Sequence, residues 1–141
     1  MGLDSILGSE LIKNDGTKVS TSSIESTPVI ALYFSAHWCP PCKMFTPKLK
    51  AAYEEANADG KKFEVVFISA DQSEEEFQGY FESMPWLAPK FDEDELGEIS
   101  EQFGVSSIPA LIVIDSSGAK KTDNAKTDIM NKGAAAIEGW M

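Results

Sequence analysis

Residues 38–42, Trp38-Cys39-Pro40-Pro41-Cys42, follow the run Val29-Ile30-Ala31-Leu32-Tyr33-Phe34 and precede Phe45, Leu49, Ala52 and Ala56. The run is continuously apolar, β-branched and aromatic, the pattern of a strand covered on both faces. The residues after the cysteines recur at spacings of 4, 3 and 4, which puts them on one face of a helix. The two cysteines therefore stand at a strand-to-helix turn, at the start of the helix. Pro47 lies inside that helix and offers no N–H to the carbonyl of Lys43, so a kink is expected near Lys43.

A thiol with two residues between it and its partner can close a small disulfide ring, and a helix N-terminus favours the thiolate. Cys39, at that end, is the expected nucleophile. Cys42, one turn in and more buried, is the expected resolving thiol that attacks the mixed disulfide. Pro40 and Pro41 have fixed φ and no N–H, which stiffens the turn and leaves the other terminal donors free to face sulfur. Three other readings of the pair are weaker. A structural zinc site needs four protein ligands, and the chain offers two Cys and one His, so no metal is expected. Inert buried cysteines are common, but the adjacent prolines and the helix start argue against that reading here. A purely structural disulfide this short removes little loop entropy.

His37 can stabilise the thiolate or pass protons, although a surface histidine without a role is its simpler reading. Lys43 adds positive potential near the sulfur or is an ordinary solvated lysine. Ser107-Ile108-Pro109 precedes a further apolar run, 110–115. A proline there is ordinary for a strand start, and a proline at a turn can also be cis.

Outward from the centre, residues 10–13 and 18–19 flank Asn14-Asp15-Gly16, a hairpin signal. Residues 63–69 repeat the buried-strand pattern. Ser73 with Glu76 forms a capping box, and the helix it starts presents Phe77, Phe81 and Met84 inward. Glu74, Glu75 and Glu76 suit the positive end of that helix. A second short helix carries Leu96, Ile99 and Phe103 and ends at a left-handed Gly104. Ser116-Ser117-Gly118 turns strand 110–115 into a hairpin with 119–123, and the last eighteen residues read as helix. Strands alternating with helices indicate an α/β fold with a mixed sheet.

The 141 residues fit a single domain, 1–141, and the apolar fraction of 43% is that of an ordinary soluble protein. The 12 basic residues are all Lys and face 23 acids, for a net charge of −11. Such a chain is not expected to bind nucleic acid, which requires a basic footprint. No run approaches the roughly 18–20 apolar residues of a membrane helix, and Met1-Gly2-Leu3-Asp4-Ser5-Ile6-Leu7 has neither a signal peptide's cationic start nor a myristoylation pattern. With two cysteines, a disulfide-stapled secreted scaffold is also excluded. A cytoplasmic location and a monomer are expected. Residues 71–101 hold 11 acids against Lys90 alone, so the charge is concentrated.

Taken together these residues resemble the thioredoxin superfamily, and within it the tryparedoxin and nucleoredoxin branch. The resemblance is carried by Trp38-Cys39-Pro40-Pro41-Cys42, Phe45-Thr46-Pro47, Phe63-Glu64-Val65-Val66-Phe67, Phe77 with Tyr80 and Phe81, Met84-Pro85-Trp86-Leu87-Ala88, and Ser107-Ile108-Pro109 as the cis-proline element. It covers about residues 3–123. It implies a thioredoxin fold, a central mixed sheet flanked by helices with an added N-terminal hairpin, and a dithiol that carries electrons to disulfides. Cys39 would attack the target and Cys42 would release it. Trp38, Pro40, Asp71, Ile108 and Pro109 would form the substrate-contacting surface, Asp71 from the end of the neighbouring strand. No cofactor is implied beyond the redox-active disulfide Cys39–Cys42.

The implied partners are disulfide-containing proteins, peroxiredoxins among them, with a low-molecular-weight dithiol or a reductase as electron donor. Three departures bear on that donor. The chain has Ala70-Asp71-Gln72 where tryparedoxins usually carry Trp-Asp and an acid, Lys43 for a common Arg, and Lys126 for an arginine near the C-terminal segment. An ammonium cannot reproduce the bidentate grip of a guanidinium. The region that would meet trypanothione is therefore altered, and the resemblance leaves the donor open. Thioredoxins carry a buried Asp where this chain, like tryparedoxins, has Tyr33, a poor base near neutral pH. Water, His37 or Asp71 is left to accept the proton. The concentrated acidity suggests a bias toward cationic, Lys-rich partners and against glutathione. The alternative function is a nucleoredoxin-like adaptor, whose docking would follow the oxidation state of the cysteines.

Overall fold

The computed structural model describes residues 3–60, 62–115 and 117–140. The start Met1-Gly2 and Ser116 of the expected turn lie outside the described residues. In chain order the elements are α1 (Asp4–Leu7), β1 (Glu10–Ile12), β2 (Lys18–Ser20), β3 (Val29–Ser35), α2 (Pro40–Ala56), β4 (Phe63–Ser69) and α3 (Glu74–Phe81). They continue with β5 (Ala88–Pro89), α4 (Glu93–Gln102), β6 (Ala110–Ile114), β7 (Lys120–Thr122), α5 (Ala125–Lys132) and α6 (Ala135–Glu138).

The central sheet has the order β4-β3-β6-β7, with β4 parallel to β3 and β6 antiparallel to it. Side chains alternate across a strand, and β3 shows why its sequence is apolar without alternation. Val29, Ala31 and Tyr33 join one core with Phe45, Leu49, Phe67, Phe77 and Ile129, from β4 and helices α2, α3 and α5. Ile30, Leu32 and Phe34 join another with Leu96, Ile99 and Phe103, around α4. Both faces are thus covered, and each large apolar side chain so buried contributes roughly 1.5–3 kcal/mol.

The expected N-terminal hairpin is β1–β2, with Gly16 in its turn at φ +89°. β1 also pairs with β5, and the chain just before β5 bridges Leu87 to Val66 of β4. The hairpin sheet is in this way sewn to the open edge of the central one.

Local signals hold with small shifts. The Ser73 hydroxyl accepts from the Glu76 N–H, as a capping box requires, but the Glu76 carboxylate reaches back to the Gln72 N–H rather than to that of Ser73. Helix α3 ends at Phe81, so Met84 packs inward from the turn after it. Gly104 ends α4 at φ +68°. The final segment is two helices rather than one, because Gly133 breaks it at φ +59°.

Candidate active site

Strand register builds the site. Ser35 ends β3 opposite Ser69, the end of parallel β4, and the Ala70 N–H donates to the Ser35 carbonyl at 2.9 Å. The loops leaving both strands therefore run side by side, and residues 37–39 meet residues 70–71. On the other flank Phe34 lies opposite Ala110, the first residue of antiparallel β6, so Pro109 arrives at the same end of the sheet. This is the carboxyl end of β3, where neighbouring strands differ in direction, a place where α/β sheets open crevices.

Cys39 caps α2: its Sγ accepts from the Cys42 N–H at 3.3 Å, and Pro40 and Pro41 occupy the first helical turn. The two cysteines are joined in a disulfide with Cα atoms 5.2 Å apart. Cys42 is fully buried, while Cys39 keeps 5% of its surface. Of the two, Cys39 is thus the residue nearer the surface, and its sulfur sits at the positive end of α2, held by the Cys42 N–H, which favours a thiolate once the pair is reduced. The Ile108–Pro109 bond is cis, and the Ile108 carbonyl lies 3.9 Å from the Cys39 sulfur. Trp38 is 52% exposed, with its indole N–H donating to the Ala70 carbonyl at 3.3 Å. Pro40 is exposed beside it.

Asp71, expected at the substrate surface, has no exposed side-chain area. Its Oδ1 lies 2.8 Å from the His37 N–H and 2.8 Å from His37 Nδ1, and its Oδ2 accepts the Ser69 hydroxyl at 2.7 Å. The carboxylate is committed to the chain's own donors, so it positions the loop rather than touching substrate. His37 is accordingly no idle surface residue. Its ring bridges from Asp71 toward Glu76, whose Oε2 lies 3.8 Å from Nε2. Among the described residues, His37, Asp71 and Glu76 bring ligand-type atoms within 4.8 Å of one another, already satisfied in part as hydrogen bonds. Lys43 is exposed and shares a hollow with His37, Glu75 and Glu76.

Behind the dithiol lies a hydroxyl cluster that sequence patterns did not reveal. The Tyr33 hydroxyl is 2.6 Å from Thr46 Oγ1 and donates to the Cys42 carbonyl at 3.2 Å. Thr46 donates to the same carbonyl at 2.9 Å and lies 2.8 Å from the Tyr80 hydroxyl, which in turn meets Ser35 Oγ at 2.7 Å. Burial, and then the neighbouring Tyr80, push the Tyr33 phenol well above the ordinary tyrosine range, so Tyr33 stays protonated and braces the backbone of Cys42. The available signal was Thr46, a polar residue four positions after Cys42 and next to Phe45 on the helix's apolar side.

A thioredoxin-like family model matches residues 28–119, which contain the dithiol turn and the cis-proline. Mouse nucleoredoxin is 40% identical over 127 residues, covering 89% of this chain but only 29% of that protein. The chain thus spans under a third of that relative's length. Tryparedoxin of Trypanosoma brucei brucei is 43% identical over 125 residues, 87% of this chain and 85% of the relative. A solved tryparedoxin from Trypanosoma brucei superposes with a TM-score of 0.88 at 40% identity, over 99% of this chain and 97% of that one. The fold is the thioredoxin fold, and the chain belongs to the thioredoxin-like family, with nucleoredoxins and tryparedoxins among its relatives.

Proposed function

We propose that the chain is a tryparedoxin-like thiol–disulfide oxidoreductase that reduces protein disulfides, those of peroxiredoxins among them. The observation that carries this reading is the unequal pair: Cys39 at the helix cap with 5% of its surface exposed, and Cys42 fully buried behind it. In the reduced protein, the Cys39 thiolate attacks one sulfur of the target disulfide and expels the other as a thiolate, which takes up a proton. The Cys42 thiol then loses its proton and attacks Cys39 Sγ. That step frees the second target thiol and leaves the Cys39–Cys42 disulfide. Two electrons pass to the target, and an external dithiol or a reductase restores them. The reading places the protein in the cytoplasm, where such dithiols are catalytic rather than structural.

The test is reduction of insulin disulfides with dithiothreitol as donor. Activity is expected in the natural sequence and lost in Cys39→Ser, whereas Cys42→Ser should accumulate a mixed disulfide with its target. Full activity in Cys39→Ser would remove the mechanism. A partner retained from extract by a double Cys→Ala variant would instead favour the adaptor function.

A further inference from the structure

Among the described residues, three large apolar side chains are exposed: Trp38, Met44 at 74% and Met130 at 54%. Trp38 adjoins Cys39 in the chain, and the two methionines border one groove. With Pro41, Phe45 and Pro109 they enclose about 210 Å³. That volume falls below the roughly 300–1,000 Å³ of pockets that take whole small molecules, and it suits one side chain. Lys48 and Lys126 also line the groove and no acid does, against a net charge of −11 for the chain. Glu75 and Glu76 line a separate hollow on the α3 side, with His37 and Lys43. That hollow therefore mixes two acids with a lysine, whereas the apolar groove is bordered by lysines alone.

We propose that this groove is a specificity subsite for the disulfide substrate, taking one large apolar side chain with a neighbouring carboxylate from a disulfide-bearing polypeptide segment. The proposal rests on the oxidoreductase reading above and names the substrate class of that same site. Geometry supplies the connection. The Ile108 carbonyl lies 3.9 Å from the Cys39 sulfur, and the next residue, Pro109, is part of the groove. A polypeptide joined to Cys39 as a mixed disulfide and laid along 108–109 is led into it. Methionine side chains are flexible and polarisable, so Met44 and Met130 can close on an aliphatic or aromatic group. Lys48 and Lys126 provide the charge complement for a carboxylate beside it. The concentrated acidity of residues 71–101 suggested cationic partners, but the groove next to the dithiol selects locally for the opposite charge.

The experiment compares kcat/KM, at physiological ionic strength with dithiothreitol as donor, for model peptide disulfides that differ only in the two residues beside the cysteine: Leu-Glu, Leu-Lys and Ser-Glu. Replacing Leu by Ser is expected to cost about tenfold and replacing Glu by Lys about threefold, the scales of a buried aliphatic group and an exposed ion pair. In Met44→Ser/Met130→Ser the Leu-to-Ser ratio should fall toward one. In Lys48→Glu/Lys126→Glu the Glu-to-Lys ratio should invert. Each ratio is taken within one protein, so a general change in dithiol reactivity cancels.

Equal rates for all three peptides, or a preference for Leu-Lys, would overturn the subsite and leave the oxidoreductase reading intact. Ratios that survive both double variants would do the same. Failure of the natural sequence to reduce any of the peptides, or insulin, would take the underlying reading with it. A dimer seen by sedimentation that the methionine variant abolishes would assign the groove to a second copy of the chain, and so overturn the proposal.

Discussion

Asp71 gathers the His37 N–H, the His37 ring and the Ser69 hydroxyl around one fully buried carboxylate. Removing it leaves buried partners unmatched, which costs about 1–3 kcal/mol. Asp71→Ala should lower unfolding stability by that amount in urea titrations, and an unchanged midpoint would show the contacts to be idle. Tyr33 makes a different prediction, through pH. Burial first, and then Tyr80, raise its phenol; burial first, and then Glu64, raise Tyr53. An unfolded tyrosine ionises near pH ~10, while these folded ones hold their protons to higher pH. Their contribution is thus intact below about pH 10 and is lost as pH rises beyond it, because the unfolded chain then binds fewer protons. Tyr33→Phe should lose less of its urea midpoint than the natural sequence between about pH 9 and about pH 11.

Helices α3 and α4 begin alike, with Ser73 accepting from the Glu76 N–H at 3.2 Å and Asp92 from the Glu95 N–H at 3.1 Å. Each first turn holds three acids, Glu74, Glu75 and Glu76 or Glu93, Asp94 and Glu95, facing the positive helix end. Ser73→Ala and Asp92→Ala should each cost about 1 kcal/mol of unfolding free energy, the usual worth of a cap, as read from denaturant midpoints. The two helices pack on opposite cores of the sheet, Phe77 and Phe81 on one side and Leu96 and Ile99 on the other, so the two losses should add in the double variant. Such caps were visible in the sequence because they are local, needing a hydroxyl or carboxylate three residues from an N–H. The partner of the Glu76 carboxylate was not, since the choice between the N–H of Ser73 and that of Gln72 depends on how the loop from β4 arrives.

For the whole molecule the dominant electrostatic fact is the excess of acid, 11 of the 23 acidic residues falling within 71–101. Like charges at this density repel in the compact state. Salt shortens the range of that repulsion, from a Debye length of about 30 Å at 0.01 M to about 8 Å at 0.15 M. The melting temperature should therefore rise with added NaCl, by roughly 4 °C for each kcal/mol gained, and a fall would show that attractive pairs dominate instead. Among the described residues the structure offers few such pairs: Lys120 with Asp123 at 3.4 Å, and the two His37 contacts.

The sequence by itself determined the strands of the central sheet, the helix after the dithiol, and the place of both cysteines at the start of that helix. All of these depend on residues close along the chain: apolar runs, 3.6-residue spacing, a thiol at a helix start. It also placed Ile108 and Pro109 at the site through a motif. Tertiary structure alone decided what meets across the sheet. Parallel pairing of β3 with β4 sets His37 beside Asp71 and makes that acid a buried brace, where position in the chain had suggested a substrate contact. Packing of α5 against α2 brings Lys126 and Met130 to Met44 and Lys48. Those residues are about eighty positions apart, and no local pattern announces that they will share a groove, because burial and charge environment depend on contacts that exist only once the sheet has closed.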